Sequence, residues 1–235
     1  CMGEVWKAAF PGRKHITFVC AQNRKTPEGR GYLAAELQRI KGILEELSGN
    51  AITEEELEKS IAIYNNYRQS SRQFTEIAAH YPEIITPVVR HKIIKAAYFM
   101  DKKIYTEIIN ALMDELGKVE EKKTPKQGVI LTGIIAESEV VLAHMESQNL
   151  YVAGDMLVHE SMQFKDDIET GHEPAIDRIA DRFATIDGCS WLYEENKQKG
   201  EMLVDLVRRT GAKGVIICQL KFCDPEEFDY PVYLK

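Results

Sequence analysis

The sequence has no run of about 18 apolar residues, so a membrane-spanning helix is excluded. The opening CMGEVWKAAFPGRK carries no apolar core of the signal-peptide kind. It carries no initiator Met either, and Cys1 stands inside ordinary-looking folded sequence, which reads as a fragment of a longer chain. Cysteine is scarce and scattered: five residues, Cys1, Cys20, Cys189, Cys218 and Cys223. An odd number without pairing pattern does not build a disulfide framework and points to a reducing, cytoplasmic compartment. There is no C-x-x-C, no H-E-x-x-H and no local Ser-His-Asp arrangement. Gly133-Ile134-Ile135-Ala136-Glu137-Ser138, after the apolar run GVILTG, is not G-x-G-x-x-G, so a standard dinucleotide site is not expected. Basic residues number 30 against 37 acidic, a net charge of −7, which disfavours non-specific nucleic-acid binding.

What is present is ordinary globular composition, 44% apolar and 29% charged, over 235 residues. At roughly 150 residues per domain, one large or two modest domains fit. The chain changes character near residue 120. Residues 28–117 are helix-patterned, with Leu33, Leu37, Ile40, Leu44 and Leu47 on one face, Thr26-Pro27 to start that helix and Gly49 to end it. Thr53-Glu54-Glu55-Glu56 is a capping box, continued by Leu57, Ile61, Tyr64 and Phe74. Further helices are predicted over 88–100 and from Asp101, where Ile104, Ile108, Leu112 and Leu116 form a stripe closed by Gly117. Residues 118–127 read as a polar linker. Strands are then predicted at 128–133, 149–154 and 214–220, with helices at 138–147, after Pro174 and over 195–209. That alternation predicts a parallel, doubly wound sheet, whose ligands sit beyond the carboxyl ends of the strands. HITFVC (15–20) reads as one more strand, left over from a similar unit. The domain reading is therefore 1–120, the remnant of a first α/β lobe with a helical segment, and 121–235, a second α/β lobe.

The stretch GVIICQLKFCDPEEFDYP (214–231) carries the chemistry. Cys223 follows a buried strand, and Asp224-Pro225-Glu226-Glu227 spells a helix start, with Asp224 as the cap. Helix amides and the positive dipole end favour a thiolate, the form that binds iron or attacks an electrophile. Cys218 lies inside the strand and Cys20 follows an apolar run, so both read as core filler. His144, His159 and His172 have no ligand partner at helical spacing and read as surface or satisfied histidines.

At KFCDPEEFDYP the chain resembles the 2-hydroxyacyl-CoA dehydratase family, which includes benzoyl-CoA reductase subunits. CMGEVWK (1–7), AQNRKTPEG (21–29), EIAAHYPEIITPVVRHKIIKAAYFM (76–100), GVILTGIIAES (128–138) and residues 200–231 resemble it in the same order. The resemblance implies two Rossmann-like α/β lobes and a 4Fe-4S cluster held by three cysteines. It implies a heterodimer with a second dehydratase subunit and an ATP-hydrolysing iron–sulfur activator that delivers one electron. The implied reaction is that of a lyase in an anaerobe's amino-acid fermentation. One electron reduces the thioester carbonyl of an (R)-2-hydroxyacyl-CoA. The ketyl radical anion expels the neighbouring hydroxyl, loses a proton and returns the electron, leaving an enoyl-CoA. Residue by residue, Cys223 matches the C-terminal cluster cysteine, Cys1 lies in the region of an earlier ligand, and Cys189 falls where members often carry a cysteine. Gln22, Asn23 and Arg24 match a recurrent loop. The β-type subunit is the better match. The alternatives are a benzoyl-CoA-reductase-type subunit, or a non-catalytic maturation or docking protein of the same fold.

Overall fold

A computed structural model describes residues 2–233. The elements run α1 (Met2–Ala9), α2 (Pro27–Ser48), α3 (Glu54–Ala78), α4 (Pro87–Ala96), α5 (Lys102–Leu116), β1 (Gln127–Gly133), α6 (Glu139–Ser147), β2 (Leu150–Leu157), α7 (Ser161–Phe164), α8 (Ala175–Ala184), α9 (Lys199–Thr210), β3 (Gly214–Cys218) and α10 (Asp224–Tyr233). They form two compact units. One holds the chain up to Glu58 with Glu169–Thr185; the other holds Lys59–Ile168 and the chain from Ile186 onward.

In the first unit, α2 packs on α8. Thr26 Oγ1 accepts the Gly29 amide at 3.1 Å, Pro27 opens the helix, and Gly49 closes it in the left-handed region at φ 72°. Leu33 is buried, but Leu44 and Leu47, further along the expected stripe, are exposed. The capping box forms: Thr53 N donates to Glu56 Oε2 at 2.8 Å and Glu56 N to Thr53 Oγ1 at 3.3 Å. The segment 15–20 corrects the sequence reading, because it is not a strand. No described strand lies beside it, so its backbone is satisfied by side chains of α2. Val19 N donates to Glu36 Oε1 at 3.1 Å, and Arg39 Nη2 donates to Thr17 O at 2.6 Å. Phe18 and Val19 consequently stay exposed.

The second unit contains the sheet, with strand order β2-β1-β3 and all pairs parallel. This is the mixed α/β architecture that the alternating rhythm predicts. Val129 and Leu131 pack with Leu142, Met145, Val152 and Leu157 on one face. Ile130 packs with Ala153, Met156 and Leu203 on the other. A separate helical core gathers Phe74, Ile94, Tyr105, Ile109 and Leu116. Asp101 caps α5, accepting from the amides of Lys103 and Ile104. On α5, Leu112 and Leu116 of the predicted stripe pack into the core, but in the first half Tyr105 and Ile109 point inward while Ile104 and Ile108 are exposed. Helix α9 begins at Lys199 rather than at 195, because Lys197 has φ 46° and Glu194 takes the Gln198 amide.

The connection from β1 leads to β2 on one side and the next strand, β3, lies on the other. The winding therefore reverses between β1 and β3, and their carboxyl ends form the switch point where doubly wound sheets leave a crevice.

Candidate functional site

Gly133 ends β1 at φ 135°, and a Cβ there would stand 2.3 Å from the Cys218 carbonyl oxygen. Only glycine lets the two strand ends meet so closely. Beyond β3, Phe222 turns the chain in the left-handed region at φ 67°, with its ring exposed. Cys223 follows. Its carbonyl accepts the amides of Glu226 at 3.1 Å and Glu227 at 3.0 Å. Cys223 thus occupies the capping position of α10 that the sequence assigns to Asp224, one residue nearer the amide donors. Its side chain is buried, 8% exposed. Trp191 Nε1 donates a hydrogen bond to Cys223 Sγ at 3.4 Å.

Charged groups pin α10 from below. Glu226 is paired with buried Lys199 at 3.3 Å, and the Lys199 ammonium lies 4.9 Å from the centre of the Tyr233 ring. Tyr233 and Ser190 hydroxyls meet at 2.7 Å, and Lys197 bonds Asp229 at 2.8 Å. Glu226 Oε2 is buried and has no hydrogen-bond partner among the described residues.

The other cysteines differ. Burial, then the nearby carboxylates Glu160, Glu226 and Asp155, pushes the Cys218 thiol up to about 11. Cys218 and Ile216 pack on one face of the sheet. Cys189 is half-buried and packs on the opposite face with Met202 and Leu206. Burial and then Glu36 push the Cys20 thiol up. Cys1 lies outside the described residues. Among the described residues, no group of three or more His, Cys, Asp or Glu side chains is arranged to hold a metal ion. At Cys223 the sulfur accepts an N–H donor at a helix N-terminus. The described residues do not complete a ligand set around it. Cys218 is expected to stay unmodified by iodoacetamide at about pH 8 in the native protein and to react only on unfolding, because the thiolate is the nucleophile. Peptide mapping by mass spectrometry checks this.

A second constellation lies beside the carboxyl end of β2. Arg90 on α4 bonds Asp155 with one guanidinium nitrogen and Glu160 with the other. His91 Nδ1 meets the second Glu160 oxygen at 2.8 Å. The amides of Leu157 and Ser161 donate to Asp155 Oδ1 at 3.0 and 3.1 Å. Burial pushes the Glu160 carboxyl up, but the Arg90 charge and the His91 contact outweigh it and hold it below the usual carboxylate range. His91 Nε2 is buried without a partner among the described residues. Sequence reasoning missed this group. Its one signal was Asp155, an acid within the buried strand LYVAGDML, which needs a buried cation. His144, His159 and His172 are exposed, as the surface reading expects. In the loop Gln22-Asn23-Arg24, Arg24 is buried, and a Cβ at Gly29 would stand 2.1 Å from the Asn23 carbonyl oxygen.

One protein-family profile, described as 2-hydroxyglutaryl-CoA dehydratase, D-component, matches residues 1–235. Among curated proteins, the (R)-phenyllactyl-CoA dehydratase beta subunit of Clostridium sporogenes is 41% identical over 231 residues, 98% of this chain and 61% of that protein. The beta subunit of the lactoyl-CoA dehydratase of Anaerotignum propionicum is 34% identical, over 99% of this chain and 61% of the relative. A benzoyl-CoA reductase subunit of Thauera aromatica is 26% identical, over 98% and 61%. The chain thus spans about three-fifths of the length of these relatives.

Proposed function

The chain belongs to the 2-hydroxyglutaryl-CoA dehydratase D-component family, and from that premise we propose that it is part of the β-type subunit of an iron–sulfur (R)-2-hydroxyacyl-CoA dehydratase, with Cys223 as one cluster ligand. The observation that carries the ligand assignment is the Cys223 sulfur itself, held at the start of α10 as the acceptor of an indole N–H. Thiolates are the natural ligands of iron–sulfur clusters, and hydrogen bonds to their sulfurs tune the potential. When bound, the cluster supplies a single low-potential electron for reduction of a thioester carbonyl. The chain's own contribution is to grip and shelter. Cys223 opens α10, Gly133 brings the ends of β1 and β3 together, and the Lys199–Glu226 pair fixes α10. The remaining ligands come from outside the described residues, Cys1 included, and a partner subunit and an ATP-dependent activator complete the system. The dehydratase β subunits are more similar to this chain than the benzoyl-CoA reductase subunit is, which favours water elimination over ring reduction.

The test is anaerobic co-expression of the full-length subunit with its partner, followed by iron and acid-labile sulfide analysis and assay with activator, ATP and a panel of 2-hydroxyacyl-CoA thioesters. Wild-type complex is expected to be brown and to form enoyl-CoA. Cys223→Ala is expected to lose this subunit's iron. Full iron retention in that variant would overturn the ligand assignment.

A further inference from the structure

We propose that Trp191 is a positioning residue for the Cys223 sulfur, raising the reduction potential of the iron–sulfur group held there and shielding it from water. The inference rests on Cys223 being a ligand and adds a second residue to that reading. The indole N–H is a donor only, and at 3.4 Å from Sγ it is within range for sulfur. The exposures differ sharply: Trp191 is 52% exposed while Cys223 is 8% exposed. A tryptophan that served packing alone would bury its ring. Here half of the residue stays exposed, yet its one side-chain polar atom turns to the buried sulfur rather than to solvent. Trp191 therefore lies on the solvent side of Cys223.

The segment bearing Trp191 is fixed on both flanks. On one, the Ser190 hydroxyl bonds the Tyr233 hydroxyl of α10, the same helix that Cys223 caps. On the other, Glu194 accepts the amides of Gly188 at 3.2 Å and Gln198 at 3.1 Å, tying the turn to the start of α9. The donor is thus held in place before any ligand arrives. One-electron reduction places extra negative charge on the cluster sulfurs and their thiolates. A fixed N–H aimed at one of them stabilises the reduced state and moves the potential upward.

Trp191→Phe keeps the ring's cover and removes the donor; Trp191→Ala removes both. Both are made in the full-length chain co-expressed anaerobically with its partner subunit. The signal belonging to this subunit is the part of the redox-titrated EPR spectrum that disappears in Cys223→Ala. With Trp191→Phe, iron and sulfide are expected to match wild type while the potential of that signal shifts negative. With Trp191→Ala, the same shift is expected together with several-fold faster bleaching in air. An unchanged potential in Trp191→Phe, with iron still lost in Cys223→Ala, would overturn the role of Trp191 and leave Cys223 as ligand. Loss of iron in Trp191→Phe would also overturn it, making the indole part of what assembles the site. Iron retained in Cys223→Ala would instead sink the ligand assignment beneath it.

Discussion

Replacing Arg90 with glutamine is expected to cost about 3–5 kcal/mol of stability, because it leaves buried carboxylates without their cation. The guanidinium is 3% exposed, and its partners Asp155 and Glu160 are 1% and 4% exposed at their side chains. Neither acid has solvent to fall back on, although two amides still support Asp155. The pH dependence gives a sharper test than the magnitude. In the native protein the Glu160 carboxyl is held below its ordinary value. A carboxyl depressed by folding contributes stability that is present above its unfolded value and is lost as pH falls through the folded one. In Arg90→Gln burial, which raises the Glu160 carboxyl, is opposed by the His91 contact alone, so the depression of that carboxyl shrinks. The variant should therefore be hurt most near neutrality and recover ground as acid protonates Glu160. Denaturant unfolding of wild-type and variant full-length protein at about pH 7.5 and about pH 5 measures this. The gap between them should narrow at the lower pH; a gap independent of pH would mean that Arg90 does not stabilise the charged carboxylates.

The same network shows what local pattern reading reaches and what it does not. Helix ends were legible because caps are local: Thr26 with Pro27, the Thr53–Glu56 box and Asp101 each act within four residues. The strands of the sheet were legible because each is centred on a short apolar run bounded by polar or turn residues. HITFVC is apolar enough to read as one more, but a strand exists only with a neighbour, and side chains of α2 took its hydrogen bonds instead. On α5, apolar residues flank both sides of the helix, so Ile104-Ile108 and Tyr105-Ile109 were equally good stripes until tertiary packing chose the second. Arg90 meets its partners across 65 and 70 residues, and no local spacing announces such a pair. The candidate site divides in the same way. Cys223 was visible from its neighbours in sequence, a strand before it and a helix start after it. Trp191, 32 residues earlier, became visible only when the chain folded.

Gly133→Ala is expected to be nearly as damaging as the loss of Arg90, for a backbone reason. Its φ of 135° is a conformation that residues with a Cβ rarely adopt, and forcing one there costs on the order of 1–3 kcal/mol before any contact is counted. The added methyl would also stand 2.3 Å from the Cys218 oxygen and 2.9 Å from its carbonyl carbon. These are main-chain atoms of a paired strand, so no side-chain rotation relieves the overlap. The strand ends must separate, which loosens the β1–β3 ladder at Gly133↔Cys218 and displaces the segment that leads into Cys223. Gly211 supplies the control. It is also left-handed, at φ 69°, but a Cβ there meets nothing within 4 Å. Gly211→Ala should cost only about 1 kcal/mol and leave the site untouched. Thermal unfolding is expected to place Gly133→Ala well below Gly211→Ala, and anaerobic iron analysis to show depletion in the first variant alone. If the two glycines proved equally tolerant, the close approach of β1 and β3 would not be what positions Cys223.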